Sequence, residues 1–374
     1  MKRIALAAAG LAAVTALALT GCSGTSRGGD ETTGTDAATA GFAADATIGV
    51  ALPDKTSENW VLAGGLFEDG LKAAGFTGDV QYAPASNTVA EQQNQIAAMV
   101  TNGAKVIVIG AKDGKQLGTQ LQQAADAGVK IIAYDRLIEN TPNVDYYVAF
   151  DNYKVGELQG QALLDGLEAR SGHAAPWNIE LFSGSPDDAN SAVFFNGAMS
   201  VLQPKIDDGT LVVKSGQTEI AQTATQGWEA ENAQSRMDSL LTANYTDATI
   251  DGVLSPNDNL ARAIITSVKQ GGKDIATFTV TGQDSEVESV KSIMAGEQYS
   301  TINKDTSLLV AQTIKMIQQL QKGETVDVND TEQYDNGVKV VPAYLLDPVI
   351  VTKENAAEAY ANNPNLLAIV EAAQ

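Results

Sequence analysis

Largely apolar runs at 46–52 and 129–134 and an unbroken one at 106–109 alternate along this chain with longer stretches whose apolar residues recur at helical spacing, such as Trp60, Gly64, Phe67 and Leu71. A run apolar at every position predicts a strand covered on both faces, and the 3.6-residue spacing predicts helices. Glycines close several of the helical stretches. The recurring unit of strand, helix, glycine and strand predicts an α/β fold: a doubly wound parallel sheet with helices on both faces. Helices at 89–100 and 116–127 and a strand at 146–150 continue this first series. Residues 151–153 then lead into a helix carrying Val155, Leu158, Ala162 and Leu167. A second series follows, with strands at 177–182, 211–213, 252–254 and 278–281 and helices at 191–202, 230–241 and 260–269. Two series predict two similar lobes, and 374 residues exceed what one hydrophobic core usually serves. The expected division is 46–150 with 284–325 for the first lobe and 151–283 with 326–374 for the second. In that division a helix at 287–295, a strand at 299–302 and a helix at 306–321 return to the first lobe. Strands at 338–345 and 349–351 finish the second.

The N-terminal segment does not fit either series. Lys2 and Arg3 precede an apolar stretch at 4–20, and Leu19-Thr20-Gly21-Cys22 is a small-residue cleavage site ending on cysteine. Residues 1–22 therefore read as an export signal outside the fold. Retention as a transmembrane helix is the weaker reading, since the apolar run is shorter than the ~20 residues a bilayer needs. Cys22 is the only cysteine of the chain, so no internal disulfide can form. Leu-Thr-Gly-Cys resembles the bacterial lipobox, which implies a lipidated Cys22 as the mature N-terminus, a membrane as partner and an extracytoplasmic, lipid-anchored location. Residues 23–45, rich in Gly, Thr, Ser, Ala and Asp, are expected to be a flexible tether.

A formal net charge of −22 disfavours nucleic acid as a partner, because counterion release requires Lys and Arg to meet phosphates. Polar residues instead cluster just after predicted strands, where open α/β sheets collect ligands. The strand at 130–134 ends in Asp135-Arg136, and the first strand leads to Asp54-Lys55-Thr56-Ser57-Glu58-Asn59-Trp60. The second series supplies Gly184-Ser185-Pro186-Asp187-Asp188-Ala189-Asn190, Trp228, Ser255-Pro256-Asn257-Asp258-Asn259 and Gly282-Gln283-Asp284. Asn303-Lys304-Asp305 adds one more cluster. Carboxylates accept from hydroxyls, Asn both donates and accepts, and Arg or Lys donates charge-assisted bonds, so this set suits a neutral polyhydroxylated ligand. Trp60 and Trp228, one in each lobe, could rest on the two C–H faces of a pyranose. Other readings stay open residue by residue: an ion pair for Asp135 and Arg136, core packing for Trp60 and Trp228, and helix caps or turns for Asp188, Asn190, Asn257 and Asp284.

The runs Tyr134-Asp135-Arg136, Phe150-Asp151-Asn152, Gly184-Ser185-Pro186-Asp187-Asp188, Gly282-Gln283-Asp284 and Asp335-Asn336-Gly337-Val338 resemble the sugar-binding proteins of bacterial ABC importers, in their xylose-binding and ChvE-like multiple-sugar-binding group. The resemblance extends from about residue 46 to residue 346, with the motifs in the family's order. It implies a type I periplasmic binding fold, two lobes joined by three hinge strands that close over a monosaccharide, and an ABC permease as partner. By position it implies ligand contacts from Lys55, Asn59, Trp60, Asp135, Arg136, Asp188, Asn190, Trp228, Asn257, Asp284 and Lys304. The family usually has Arg immediately before the first-lobe Trp, where this chain has Asn59. No cofactor is implied, and a monomer is expected.

Two rival classes follow from the same residues. Asp135 with Asp188, or Asp284, could serve as acid and base on a glycosidic bond, although no nucleophile motif accompanies them. A regulator of the lac repressor type shares the two-lobed fold but needs a basic helix-turn-helix where this chain has its export signal. No Cys or His spacing suits a metal and no Gly-rich phosphate loop occurs, while a calcium site of carboxylates alone stays open. The expectation is a binding protein for transport and not an enzyme, with a sugar sensor for chemotaxis or signalling as the alternative use of the same binding.

Overall fold

The computed structural model of the chain describes residues 41–84 and 89–373. The export signal, Cys22 and most of the expected tether lie outside the described residues. In chain order the first series is β1 (Thr47–Leu52), α1 (Glu58–Ala73), β2 (Thr77–Tyr82), α2 (Val89–Thr101), β3 (Val106–Ile109), α3 (Gly118–Asp126), β4 (Lys130–Tyr134) and β5 (Tyr146–Phe150). The second is α4 (Asn152–Arg170), β6 (Trp177–Leu181), α5 (Ala189–Asp207), β7 (Leu211–Val213), α6 (Ile220–Thr223), α7 (Ala230–Asn244), β8 (Gly252–Leu254), α8 (Asp258–Gln270) and β9 (Thr279–Val280). The remainder is α9 (Val287–Met294), β10 (Ser300–Asn303), α10 (Thr306–Lys322), β11 (Ala343–Leu346), β12 (Val349–Thr352), α11 (Ala356–Ala359) and α12 (Pro364–Ala372).

The strands form a six-stranded parallel sheet, β11-β5-β4-β3-β1-β2, a four-stranded parallel sheet, β7-β6-β8-β9, and an antiparallel pair, β10-β12. Continuous apolarity in β3 reflects burial on both faces. Ile107 and Ile109 pack with Ile96, Met99 and Leu121 on one side, and Val106 and Val108 with Phe67, Leu71, Met316 and Ile317 on the other. The two-residue alternation of a strand thus feeds two cores at once. Strand order reverses between β1 and β3 in the larger sheet and between β6 and β8 in the smaller. Loops leaving the carboxyl ends of strands diverge at such a reversal, and a crevice opens there.

The doubly wound parallel sheets agree with the sequence reading, whereas the later part of the chain corrects it. β11 joins β5 in the larger sheet, so the strand expected at 338–345 does not finish the second series. The strand itself is shorter, since 338–342 turns back through an isolated bridge between Asp335 and Val340. α9 shares a core with Tyr360, Leu366 and Val370 and does not return to the first lobe, and β10 pairs with β12. α10 does return, packing Leu309, Val310, Met316 and Ile317 on the first sheet. The end of the expected tether is also fastened: Phe42 exchanges backbone and side-chain hydrogen bonds with Gln321 and lies 6.3 Å from the Phe76 ring.

Candidate functional site

The carboxyl ends of β1, β3 and β4 face those of β6, β8 and β9 across a cleft with about 1090 Å³ of empty space, part of it open to solvent. Ten of the eleven residues predicted from sequence line it: Asn59, Trp60, Asp135, Arg136, Asp188, Asn190, Trp228, Asn257, Asp284 and Lys304. Lys55 does not. It is exposed and holds its ammonium 4.5 Å from the centre of the Tyr82 ring, because the loop before α1 turns that side chain away from the crevice. The cation at this edge is Lys112, which pairs with Asp54 and sits on the loop after β3. Burial opposes the charge of Asp54, but Lys112 and Thr56 outweigh it and hold the carboxyl below its ordinary value. Nothing in the sequence singled out Lys112 over Lys55.

The lining side chains divide by what already engages them. Asp188 is the N-cap of α5, with Oδ1 accepting from Asn190 N at 2.9 Å. Its Oδ2 accepts from Trp228 Nε1 at 3.2 Å and lies 3.0 Å from Arg136 Nε. Asn190 donates from Nδ2 to the Asp135 carbonyl at 2.8 Å and accepts at Oδ1 from Asn152 and Tyr147. Both are thus occupied in tying the lobes and fixing neighbours. Asn257 caps α8 through Oδ1, which leaves its Nδ2 as a donor. The Asp135 carboxylate has no hydrogen bond or ion pair among the described residues. Arg136 donates from Nη1 to Ala111 O at 3.1 Å and lies 5.4 Å from the centre of the Trp60 ring. Lys304 Nζ is 2.9 Å from Asp284 Oδ1 and 5.5 Å from the Phe194 ring centre.

Three carboxylates, Asp135, Asp188 and Asp284, therefore share two cations, Arg136 and Lys304. Burial pushes Asp135 up from the ordinary carboxylate value; Lys304 pulls it back, Asp188 raises it further and Arg136 again opposes the rise. For Lys304, burial disfavours the charge, but Asp284 and Asp135 more than offset it, so its pKa stands above the ordinary lysine value. The cleft holds the Lys304 ammonium firmly and the Asp135 carboxylate less so.

Backbone conformation marks the same place. Asp135, Trp228 and Asp284 have φ of 61°, 56° and 99°, a region that costs a non-glycine residue on the order of 1–3 kcal/mol and persists where surrounding contacts impose it. Both indoles rest on glycines. A Cβ at Gly110 would fall 2.9 Å from the Trp60 ring, and one at Gly184 would fall 2.1 Å from the Trp228 ring. Core packing and cleft lining are thus combined in each Trp: Trp60 is half-buried beside Tyr134 and Trp228 packs on the second-lobe core. Among the described residues, no group of three or more His, Cys, Asp or Glu side chains is placed to hold a metal ion.

A family model described as a periplasmic binding protein domain matches residues 48–325. The multiple sugar-binding periplasmic receptor ChvE of Rhizobium radiobacter is 53% identical over 320 residues, covering 84% of this chain and 89% of that protein. The multiple sugar-binding periplasmic protein SbpA of Azospirillum brasilense is 49% identical over 312 residues, covering 83% and 86%. Among solved structures, an ABC transporter solute binding protein from Clostridium phytofermentans with bound β-D-glucose superposes with a TM-score of 0.81 at 41% identity, covering 86% of this chain and 99% of that one. The two-lobed parallel-sheet architecture, the crevice at both strand-order reversals and these matches agree, and the chain belongs to the type I periplasmic binding protein family.

Proposed function

We propose that the chain binds a monosaccharide, xylose, glucose or a related aldose, in the cleft and delivers it to an ABC importer. The observation that carries this is the inventory of uncommitted groups between Trp60 and Trp228: the Asp135 carboxylate, the Asn257 amide and donors of Arg136 and Lys304. Ring hydroxyls both donate and accept, so they match a site with free groups of both kinds, and a ligand lacking them would leave buried groups unpaired at about 1–3 kcal/mol each. The names of the relatives, multiple sugar-binding proteins and a β-D-glucose complex, support the same ligand class. A sugar touching both edges stabilises the approach of the lobes, and that differential affinity is what closure requires. The commitments of Asp188 and Asp284 argue for binding over glycosidic hydrolysis, because neither is left as an unengaged partner for Asp135.

Titration of the full chain carrying Cys22→Ser against xylose, glucose, galactose, arabinose and ribose is expected to give heat with at least one of them. Folded protein that shows neither heat nor a thermal shift with any aldose removes the sugar reading. Trp228→Ala is expected to weaken binding about tenfold or more, the loss of one aromatic face and of the Asp188 contact. Unchanged affinity takes Trp228 out of the site.

Cys22, in this reading, carries the lipid that keeps a monomeric binder at the outer face of the cell membrane. Cells fed a labelled fatty acid should label the wild-type chain and not Cys22→Ser. Equal labelling of the two disproves the anchor.

A further inference from the structure

The segment Asp284-Ser285 has φ of 99° and 53° in succession, so two non-glycine residues are held in the left-handed region beside the cleft. Its own lobe fixes it through Asp284 N donating to Ile302 O at 2.9 Å, Ser285 N to Thr301 Oγ1 at 3.2 Å, Glu286 N to Asp258 Oδ2 at 3.0 Å and the Tyr360 hydroxyl to Ser285 Oγ at 2.8 Å. Two further contacts come from the first lobe: Asn59 Nδ2 donates to Asp284 O at 3.2 Å, and Glu58 Oε2 accepts from Val287 N at 3.1 Å, the first residue of α9. A carboxylate at that helix N-terminus also meets the positive end of the backbone dipole. Asn59 Oδ1 is in turn 3.5 Å from Thr306 Oγ1, the outer limit of a hydrogen bond, so both ends of the Asn59 amide are engaged by protein.

We infer that Glu58 and Asn59 are positioning residues that act on the ligand through Asp284. The first turn of α1 reaches across the cleft, pins the 284–287 backbone and thereby aims the Asp284 carboxylate at Lys304. This deepens the sugar-binding reading and rests on it for its affinity readouts. It also changes the part given to Asn59, whose amide is engaged by protein at both ends and makes a cross-lobe contact. Because the pin spans the lobes and fixes Asp284, it stabilises the arrangement of the lobes that holds the ligand, so its loss speeds release with little effect on capture.

Asn59→Leu keeps the bulk and removes both bonds. In the full chain with Cys22→Ser, it is expected to raise the sugar dissociation rate about tenfold and leave the association rate within about twofold. The decisive comparison is with Asp284→Asn. If Asn59 works through Asp284, its replacement costs little in that background, whereas a residue touching the sugar costs as much as before. An equal loss in both backgrounds, or no change from Asn59→Leu alone, overturns the assignment. A second readout needs no sugar. Amide exchange at Val287 in the unliganded chain should quicken about tenfold in Glu58→Ala and return in Glu58→Gln, which keeps an acceptor oxygen. Unaltered exchange in Glu58→Ala overturns the pin whether or not any aldose binds, while altered exchange with no aldose binding refutes only the sugar reading.

Discussion

Lys304→Met is expected to cost about a hundredfold or more in sugar affinity, since truncating one partner of a buried charge pair typically loses 2–5 kcal/mol or more. The reason lies in the charge count of the cleft. With Lys304 present, three carboxylates share two cations, and its ammonium is the largest offset to the burial of Asp135. Methionine fills a comparable volume and leaves Asp284 and Asp135 facing Asp188 with only Arg136 to balance them. The variant should also be less stable than the wild type near neutral pH, with a gap that depends on pH in a definite direction. Asp135 already has a folded-state pKa above its ordinary value, so between the two the folded chain binds the extra proton and stability falls as pH rises through that window. Loss of the ammonium pushes Asp135 higher still and widens the window upward. Calorimetric melting of the two proteins from pH 4 to pH 8 should therefore show their separation shrinking toward acid, where Asp135 is neutral in both. A separation that is constant with pH, or affinity equal to wild type, defeats the charge-sharing account.

The same cleft shows what a linear pattern conveys and what it hides. Asp135 and Arg136 were legible because β4 is buried to its last residue, so the first polar pair after it has to emerge at the sheet edge. Asp188 and Asn257 were ambiguous between cap and contact, and the structure gives both of them the cap, with Asp188 spending its remaining oxygen on Trp228 and Arg136. A capping pattern reports only the local backbone. It is silent on what the second oxygen or the amide nitrogen meets across the cleft. Lys55 and Lys112 illustrate the same limit: both follow strands of the first sheet, and which one turns inward depends on the path of the loop, a property set by packing against α1 and Tyr82. The misplacement of β11 has another cause. Its parallel partner β5 lies far back in sequence, after an irregular stretch from 323 to 342, and the apolar run Ala343–Leu346 carries no mark of which sheet edge it will extend. Two lobes could be read from periodicity; the crossings between them could not, because they are fixed by non-local pairing.

Gly184→Ala tests how far that non-local packing reaches into binding. A Cβ at position 184 would stand 2.1 and 2.2 Å from the Trp228 ring and 2.5 Å from Ser191 Oγ, separations that no relaxation of the ring in place can absorb. Ser191 is pinned, since its hydroxyl donates to Ser185 O at 2.7 Å, so the indole has to swing out. In doing so it withdraws Nε1 from Asp188 Oδ2, and Asp188 loses the partner that holds it toward Arg136. One methyl group therefore dismantles an aromatic face and loosens a cross-lobe ion pair together. The expected result is a loss of affinity of about tenfold or more, with an overpacking cost to folding of about 1–3 kcal/mol, read by titration and by the change in tryptophan fluorescence. Gly110→Ala should follow the same course more mildly, because its Cβ meets Trp60 at 2.9 Å. Gly118→Ala supplies the control, as a Cβ there meets nothing within 4 Å. Wild-type affinity in Gly184→Ala, or a loss no larger than that in Gly118→Ala, shows that Trp228 is not held where the ligand needs it.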